Sequence, residues 1–226
     1  MNNLLNKIFP PKCLFCGTVG ALFCNNCLSN CGIIKVQKCI VCDKPSQDGL
    51  THFSCHKPDT PTQLICAFEY KDNIRVCIKR SKYNSCQFQA LKILSREALG
   101  LTQEWSESFR DFVCVPIPLS KEKFTQRGFN QAQTIALIIS TGFKAKIDSS
   151  ILFRIKGTKA QHGINREERF KNISGSFLAN REKVLNKKVL LVDDICTTGS
   201  TFLEASRVLY EAGAKDVRCF ALSKKV

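Results

Sequence analysis

The chain has 226 residues, fourteen cysteines, an apolar fraction of 44% and a formal net charge of +15. That apolar content excludes wholesale disorder, and no run approaches the ~18 apolar residues of a membrane span, so no membrane insertion is expected. The opening MNNLLNKIFPPKC offers only the short apolar patches Leu4–Leu5 and Ile8–Phe9, too little for a secretory signal, so a cytoplasmic setting is expected, where paired cysteines bind metal more often than they oxidise.

Eight of the cysteines fall between Cys13 and Cys55, in a segment with too few large apolar residues to sustain a core of its own. Four ligand pairs occur there at x₂ spacing: Cys13/Cys16, Cys24/Cys27, Cys39/Cys42 and His52/Cys55. The short loop of each pair lets both side chains reach one ion at ~2.0–2.3 Å, so eight donors suit two structural zincs. The simplest arrangement joins neighbours, 13/16/24/27 and 39/42/52/55, while the spacing also admits cross-bracing. A redox Cys-x-x-Cys would need a thioredoxin-like setting that this segment lacks. Cys31, Cys66, Cys77, Cys86, Cys114 and Cys219 read as small hydrophobes, and His56 and His162 as surface residues. Pro58 and Pro61 mark a linker, giving a cysteine-rich unit over 1–58 and a second unit over 59–226.

From Leu64 the pattern alternates strands and helices. Residues 64–70 read as a strand, and 72–82 and 85–99 as helices with Ile74, Cys77, Ile78, Phe88, Leu91 and Leu94 at helical spacing. Phe112–Val115 is a short buried strand stopped by Pro116 and Pro118. Asn130–Ile139 reads as a helix and Lys188–Val192 as an apolar strand. A polar turn follows, then a helix from about Thr198 to Ala212, stopped by Gly213, and a closing strand over Asp216–Leu222. Strands separated by helices imply parallel pairing, hence an α/β sheet covered on both faces.

The stretch VLLVDDICTTGST is the most informative. Asp193 and Asp194 sit at the carboxyl end of an apolar strand, the edge where open α/β sheets bind ligands. The turn Cys196, Thr197, Thr198, Gly199, Ser200, Thr201 opens into a helix, so small residues let amides converge on an anion and the helix N-terminus adds positive potential. An anion turn beside two carboxylates calls for a ligand with both a phosphate and a diol or metal. The G-x-x-x-x-G-K-[ST] phosphate loop is absent, and no arginine follows Cys196 to make a phosphatase loop, so Cys196 reads as structural or backbone-only.

Those residues resemble the phosphoribosyl pyrophosphate motif of type I phosphoribosyltransferases. The resemblance implies that fold, Asp193 and Asp194 engaging the ribose hydroxyls directly or through Mg²⁺ waters, and the loop from Cys196 to Thr201 around the 5-phosphate. Thr197 stands where purine-salvage members carry an acid that helps deprotonate the base, which argues against hypoxanthine or guanine transfer. Val115-Pro116-Ile117-Pro118-Leu119 with Arg127-Gly128-Phe129-Asn130-Gln131-Ala132 is similar to the ComF family of competence-associated phosphoribosyltransferase-like proteins. So are Arg154, Thr158, Gln161, Arg166, Asn172 and Phe177, and with the cysteine-rich front end, zinc-ribbon-like, the resemblance covers nearly the whole chain.

By that family's layout the turn after Val115 is the pyrophosphate loop, with Lys121 and Arg127 nearest the ligand. The resemblance further implies a role in natural transformation, handling single-stranded DNA, possible contact with other DNA-uptake proteins, and placement at the inner face of the inner membrane through such partners. Residues 144–188 hold twelve basic and four acidic side chains, a balance that suits a polyanionic partner. Among them Arg154, Lys156, Lys159, Arg166 and Arg169 fall where related enzymes carry a mobile flap. DNA contact is expected at Lys156, Lys159, Arg166 and Arg169, with Phe124, Phe129, Phe153 and Phe170 as candidate stacking surfaces. Two functions fit: a single-stranded DNA binder with phosphoribosyl pyrophosphate as ligand or regulator, and a working transferase on an unidentified acceptor. A zinc-scaffold adaptor with a vestigial pocket fits less well, because the acid pair and loop are intact.

Overall fold

The computed structural model of the chain describes residues 10–82, 85–155 and 172–225, with backbone alone at 85–87. A short helix α1 (Asn25–Ser29) in the cysteine-rich segment precedes β1 (Gln63–Glu69), α2 (Asp72–Ser81) and α3 (Ser85–Leu101). There follow β2 (Phe112–Pro116), α4 (Lys121–Arg127), α5 (Gln131–Gly142), β3 (Lys146–Ile147) and β4 (Leu152–Arg154). The chain closes with β5 (Phe177–Ala179), α6 (Arg181–Val184), β6 (Lys188–Cys196), α7 (Ser200–Glu211) and β7 (Asp216–Lys224). Strands β1-β7-β6-β2-β3 form one sheet, every pair parallel, and β4–β5 form a separate antiparallel pair.

Alternation divides the core into two layers. Ile65, Ala67, Leu190, Val192, Phe220 and Leu222 point into one cluster, with Ile74 and Ile78 of α2, Leu91 and Leu94 of α3, and Ile135 and Ile139 of α5. Leu64, Cys66, Val189, Leu191, Cys219 and Ala221 point into the other, with Phe202, Ala205 and Leu209 of α7. A central strand buried on both faces is apolar throughout, which is why Val189–Val192 carries no polar residue. Each covering helix shows one buried stripe; in α2 it is Ile74, Cys77, Ile78 and Ser81.

One expected element is longer in the structure and one element was not expected. Strand β6 runs on to Cys196 because β7 continues to pair with it after β2 stops, Asp193 opposite Ala221 and Cys196 opposite Lys224. Helix α4 has no apolar stripe to announce it. It is fixed by its ends: Ser120 Oγ accepts from the Lys123 amide at 3.4 Å, and Gly128 stops it at φ +75°.

The front segment covers the open side of β1, which would otherwise be an unpaired sheet edge. Ile34 donates to the Ala67 carbonyl at 3.0 Å, and the Glu69 amide to the Gly32 carbonyl at 2.8 Å. Buried Gln37 acts as a surrogate strand: its Nε2 donates to the Cys66 carbonyl at 2.9 Å, and its Oε1 accepts from the Cys66 amide at 3.0 Å. Gln37→Ala leaves both backbone groups without partners. It should lower stability by about 1–3 kcal/mol, read as a reduced urea midpoint at constant slope. An unchanged midpoint would refute the surrogate-strand role.

Candidate functional site

The sheet parts at one place. Pairing of β2 with β6 ends at Pro116 opposite Val192, followed only by the Ile117 amide donating to the Val192 carbonyl at 2.9 Å. Beyond it, the connection from β2 runs to β3 on one side and that from β6 to β7 on the other. That reversal makes a crevice outside the carboxyl ends of the strands.

Asp193 and Asp194 line the β6 wall of the crevice, both partly buried. The Asp194 amide donates to Asp193 Oδ1 at 2.8 Å, and Ser223 Oγ donates to the Asp194 carbonyl at 3.2 Å. Burial, and then the neighbouring Asp194 carboxylate, push the Asp193 carboxyl up to about 8. Lys82, just beyond α2, reaches Asp194 Oδ2 at 3.0 Å with 19% of its side chain exposed. Burial works to lower its pKa, and Asp194 more than offsets this, leaving it raised.

The turn 196–201 follows the acid pair at the end of β6 and leads into α7. Gly199, at φ +78°, is the N-cap of α7 and brings no side chain to occupy the helix's first amides. Thr198 Oγ1 and Ser200 Oγ lie 3.0 Å apart, Ser200 is buried, and Thr197 and Thr201 are half-buried. Cys196 is buried with its thiol pushed up to about 11 by that burial, so at neutral pH it stays protonated and inert.

The opposite wall is α4 and the start of α5. Asn130 caps α5 through its Oδ1, which accepts from the Ala132 amide at 3.1 Å, while its Nδ2 donates to the Ile117 carbonyl at 3.0 Å, so RGFNQ closes the loop after β2. Arg127 Nη1 donates to Gln131 Oε1 at 3.2 Å. Among the described residues Arg127 Nε and Gln131 Nε2 are buried donors with no partner, which fits an anion held in the loop. Lys121 is exposed on α4. Lys123 is the half-buried lysine of that helix, its pKa lowered by burial and then by the nearby cations Arg154, Arg127 and Lys82. Sequence reasoning missed Lys82, Lys123 and Gln131, although the i, i+4 spacing of Arg127 and Gln131 on a capped helix start was readable.

The expected DNA residues Lys156, Lys159, Arg166 and Arg169 lie outside the described residues, as do Thr158, Gln161 and Phe170. The chain on either side is pinned: β4 and β5 pair, and the Ile155 amide donates to the Ser176 carbonyl at 2.9 Å. The Arg154 guanidinium lies 5.3 Å from the Phe177 ring centroid. Phe124 and Phe153 are exposed, whereas Phe129 packs edge-on against Phe88 at 4.9 Å.

The cysteine pairs gather by neighbours. Cys13, Cys16, Cys24 and Cys27 form one group and Cys39, Cys42, His52 and Cys55 the other, with the donor atoms of each group within 4.8 Å of one another. Cys16 and Cys24 Sγ stand 3.5 Å apart and Cys42 Sγ is 3.2 Å from His52 Nδ1, close to the edges of a tetrahedron with metal–ligand bonds of ~2.0–2.3 Å. His52 Nε2 donates to the Pro45 carbonyl at 3.0 Å, leaving Nδ1 for a metal. Both donor sets could hold a zinc. Protein purified without chelator should carry about two zincs per chain by elemental analysis, and Cys16→Ser or Cys42→Ser about one. A wild-type value near one would remove one of the two sites.

Residues 130–225 match the family model for the phosphoribosyl transferase domain. The chain is 29% identical to "Competence protein ComFC" of Streptococcus pneumoniae over 90% of this chain and 81% of that protein. It is 24% identical to "Competence protein F" of Haemophilus influenzae, over 89% of this chain and 96% of that protein. It is 26% identical to "DNA utilization protein YhgH" of Escherichia coli (strain K12), over 82% of this chain and 83% of that protein. Among the described residues no helix is long and apolar enough to cross a membrane.

Proposed function

We propose that this chain, which belongs to the ComF family and carries a phosphoribosyl transferase domain, acts in DNA uptake by binding single-stranded DNA and holding phosphoribosyl pyrophosphate with Mg²⁺. The observation that carries the pocket is one crevice with an acid pair on one wall and unpartnered buried donors on the other. Asp193 and Asp194 orient the ribose hydroxyls and the cation, and the amides and hydroxyls of Thr197, Thr198, Gly199, Ser200 and Thr201, with the Cys196 backbone, take the 5-phosphate. Arg127, Gln131 and Lys123 face the pyrophosphate, with Lys121 at the rim. Mg²⁺ bound there supplies charge to spread the pyrophosphate's negative potential.

The two units, 1–58 and 59–226, divide the work. The first binds two zincs structurally and the second carries the pocket. DNA contact falls to Lys156, Lys159, Arg166 and Arg169, supported by the +15 charge and by the relatives' roles in competence and DNA utilization. The place of action is the cytoplasm, at the inner face of the inner membrane where partner proteins deliver the strand.

Calorimetry with phosphoribosyl pyrophosphate and Mg²⁺ tests the pocket. Asp193→Ala with Asp194→Ala should abolish Mg²⁺-dependent binding while the circular dichroism spectrum is kept; wild-type affinity in that variant would sink the assignment. For DNA, affinity for oligo-dT should fall with salt at a log–log slope of about −0.7 per phosphate neutralised. Charge reversal at Lys156, Lys159 and Arg166 should flatten the slope, whereas the aspartate changes should leave it alone. No affinity for oligo-dT at low salt would end the DNA reading. The intact acid pair and loop keep catalysis as the second reading: pyrophosphate release across a panel of nucleobases would establish a transferase, and silence across it the binding protein.

A further inference from the structure

The front segment straddles the sheet edge. Cys13, Phe23, Cys27 and Cys31 join the core layer of α2, where Asn73 Nδ2 donates to the Cys27 carbonyl at 3.4 Å and Arg80 Nη1 to the Leu14 carbonyl at 3.4 Å. The second metal group lies on the opposite face. Ile40 and Val41, the two residues between Cys39 and Cys42, pack into the layer that contains Cys196, Phe202 and Leu203.

Ile40 is 2% exposed, and its carbonyl oxygen and Cγ1 both stand 3.1 Å from where a Cβ on Gly199 would sit. Gly199 is therefore required twice, for its positive φ and for the approach of the knuckle. Asp43, immediately after Cys42 and itself at φ 63°, pairs with Lys224 Nζ at 2.7 Å, and that lysine side chain is 5% exposed. Lys224 stands opposite Cys196 in the β6–β7 register, and the Lys225 amide donates to the Cys196 carbonyl at 2.9 Å. The turn is thus gripped at two points by one knuckle, at Gly199 through Ile40 and at Cys196 through Lys224 and Asp43. The knuckle is a closed turn that carries two of the donors: the Asp43 amide donates to the Cys39 carbonyl at 3.0 Å.

We propose that the second metal centre is the seat of the phosphate turn, with Ile40, Asp43 and Lys224 as positioning residues that hold 196–201 in its anion-binding shape. The ligand consequence rests on the pocket reading above; the mechanical coupling does not. A segment this small folds with its metal, so an empty second centre releases Ile40 and leaves Gly199, the one residue of the turn without a side chain, without a wall. An empty first centre loosens the α2 face and leaves the turn in place.

Hydrogen–deuterium exchange over 197–203 in the full chain, without ligand, reads the coupling. Asp43→Ala and Lys224→Met should speed exchange there about tenfold, Asp43→Glu should restore most of the protection, and Cys16→Ser should loosen its own knuckle while changing the turn by less than about twofold. Lys224→Met leaves every metal donor in place, so it decides the matter if Asp43→Ala also loses zinc. Wild-type exchange in Lys224→Met, or equal loosening of the turn by Cys16→Ser, overturns the proposal. Calorimetry with ribose 5-phosphate should then show about a tenfold weaker Kd in Lys224→Met. If the wild type does not bind that probe, the pocket reading fails while the exchange data still judge the seat.

Discussion

The parting of β2 from β6 after Pro116 and Val192 is the constraint on which the rest of the structure turns. Pro118, two residues on, has no amide hydrogen with which to prolong the pairing, so β6 goes on beside β7 alone. The backbone edge of β6 beyond Val192 therefore borders a gap instead of a neighbouring strand, and Asp193 and Asp194 stand beside it. Filling such a gap with apolar residues would extend the core at no electrostatic cost. The chain puts two adjacent carboxylates there, with Lys82 as the ion-pair partner of Asp194. Buried charge of this kind is expensive unless paired, and the upward push on Asp193 is the visible sign of that expense. A cost carried at the carboxyl edge of a switch point is what makes this place the candidate ligand site.

The front segment answers a second problem. A parallel sheet that ends in β1 exposes a row of backbone donors and acceptors, and the cysteine-rich segment covers them with Gly32, Ile34 and Gln37. That segment is poor in large apolar residues, and the two donor groups within it could supply by metal binding what burial does not. Wrapping the edge places one donor group on each face of the sheet. The arrangement ties the two donor groups to both core layers.

Legibility in the sequence followed the range of the interactions involved. The β6 motif was readable because strand, acid pair, turn and helix start are contiguous, and each residue type is explained by its neighbours. The donor pairs were readable for the same reason, while their grouping was not, since spacing alone admits cross-bracing and only the fold separates the two groups. Helix α4 escaped because its one large apolar residue, Phe124, is exposed and no stripe marks it. Lys82 escaped because nothing local marks it: the β1-β7-β6 order brings the end of α2 alongside the acid pair. The hairpin β4–β5 escaped because each strand is only three residues long and the pairing spans distant segments.

The charges around the crevice also constrain the order in which it fills. Lys82, Lys123, Arg127 and Arg154 all act on one another or on the acid pair, four cations against two carboxylates. Asp194 is already paired with Lys82, and burial favours a proton on Asp193. A bare divalent cation entering this field meets net positive potential and only half an acid pair. A polyanion meets the reverse: unpartnered donors at Arg127 and Gln131, a start of α7 to which its N-cap Gly199 brings no side chain, and Lys123 crowded by other cations. On the pocket reading proposed here, anion and cation therefore enter together as a complex. The anion relieves the four cations, and the cation then finds an acid pair no longer opposed by them.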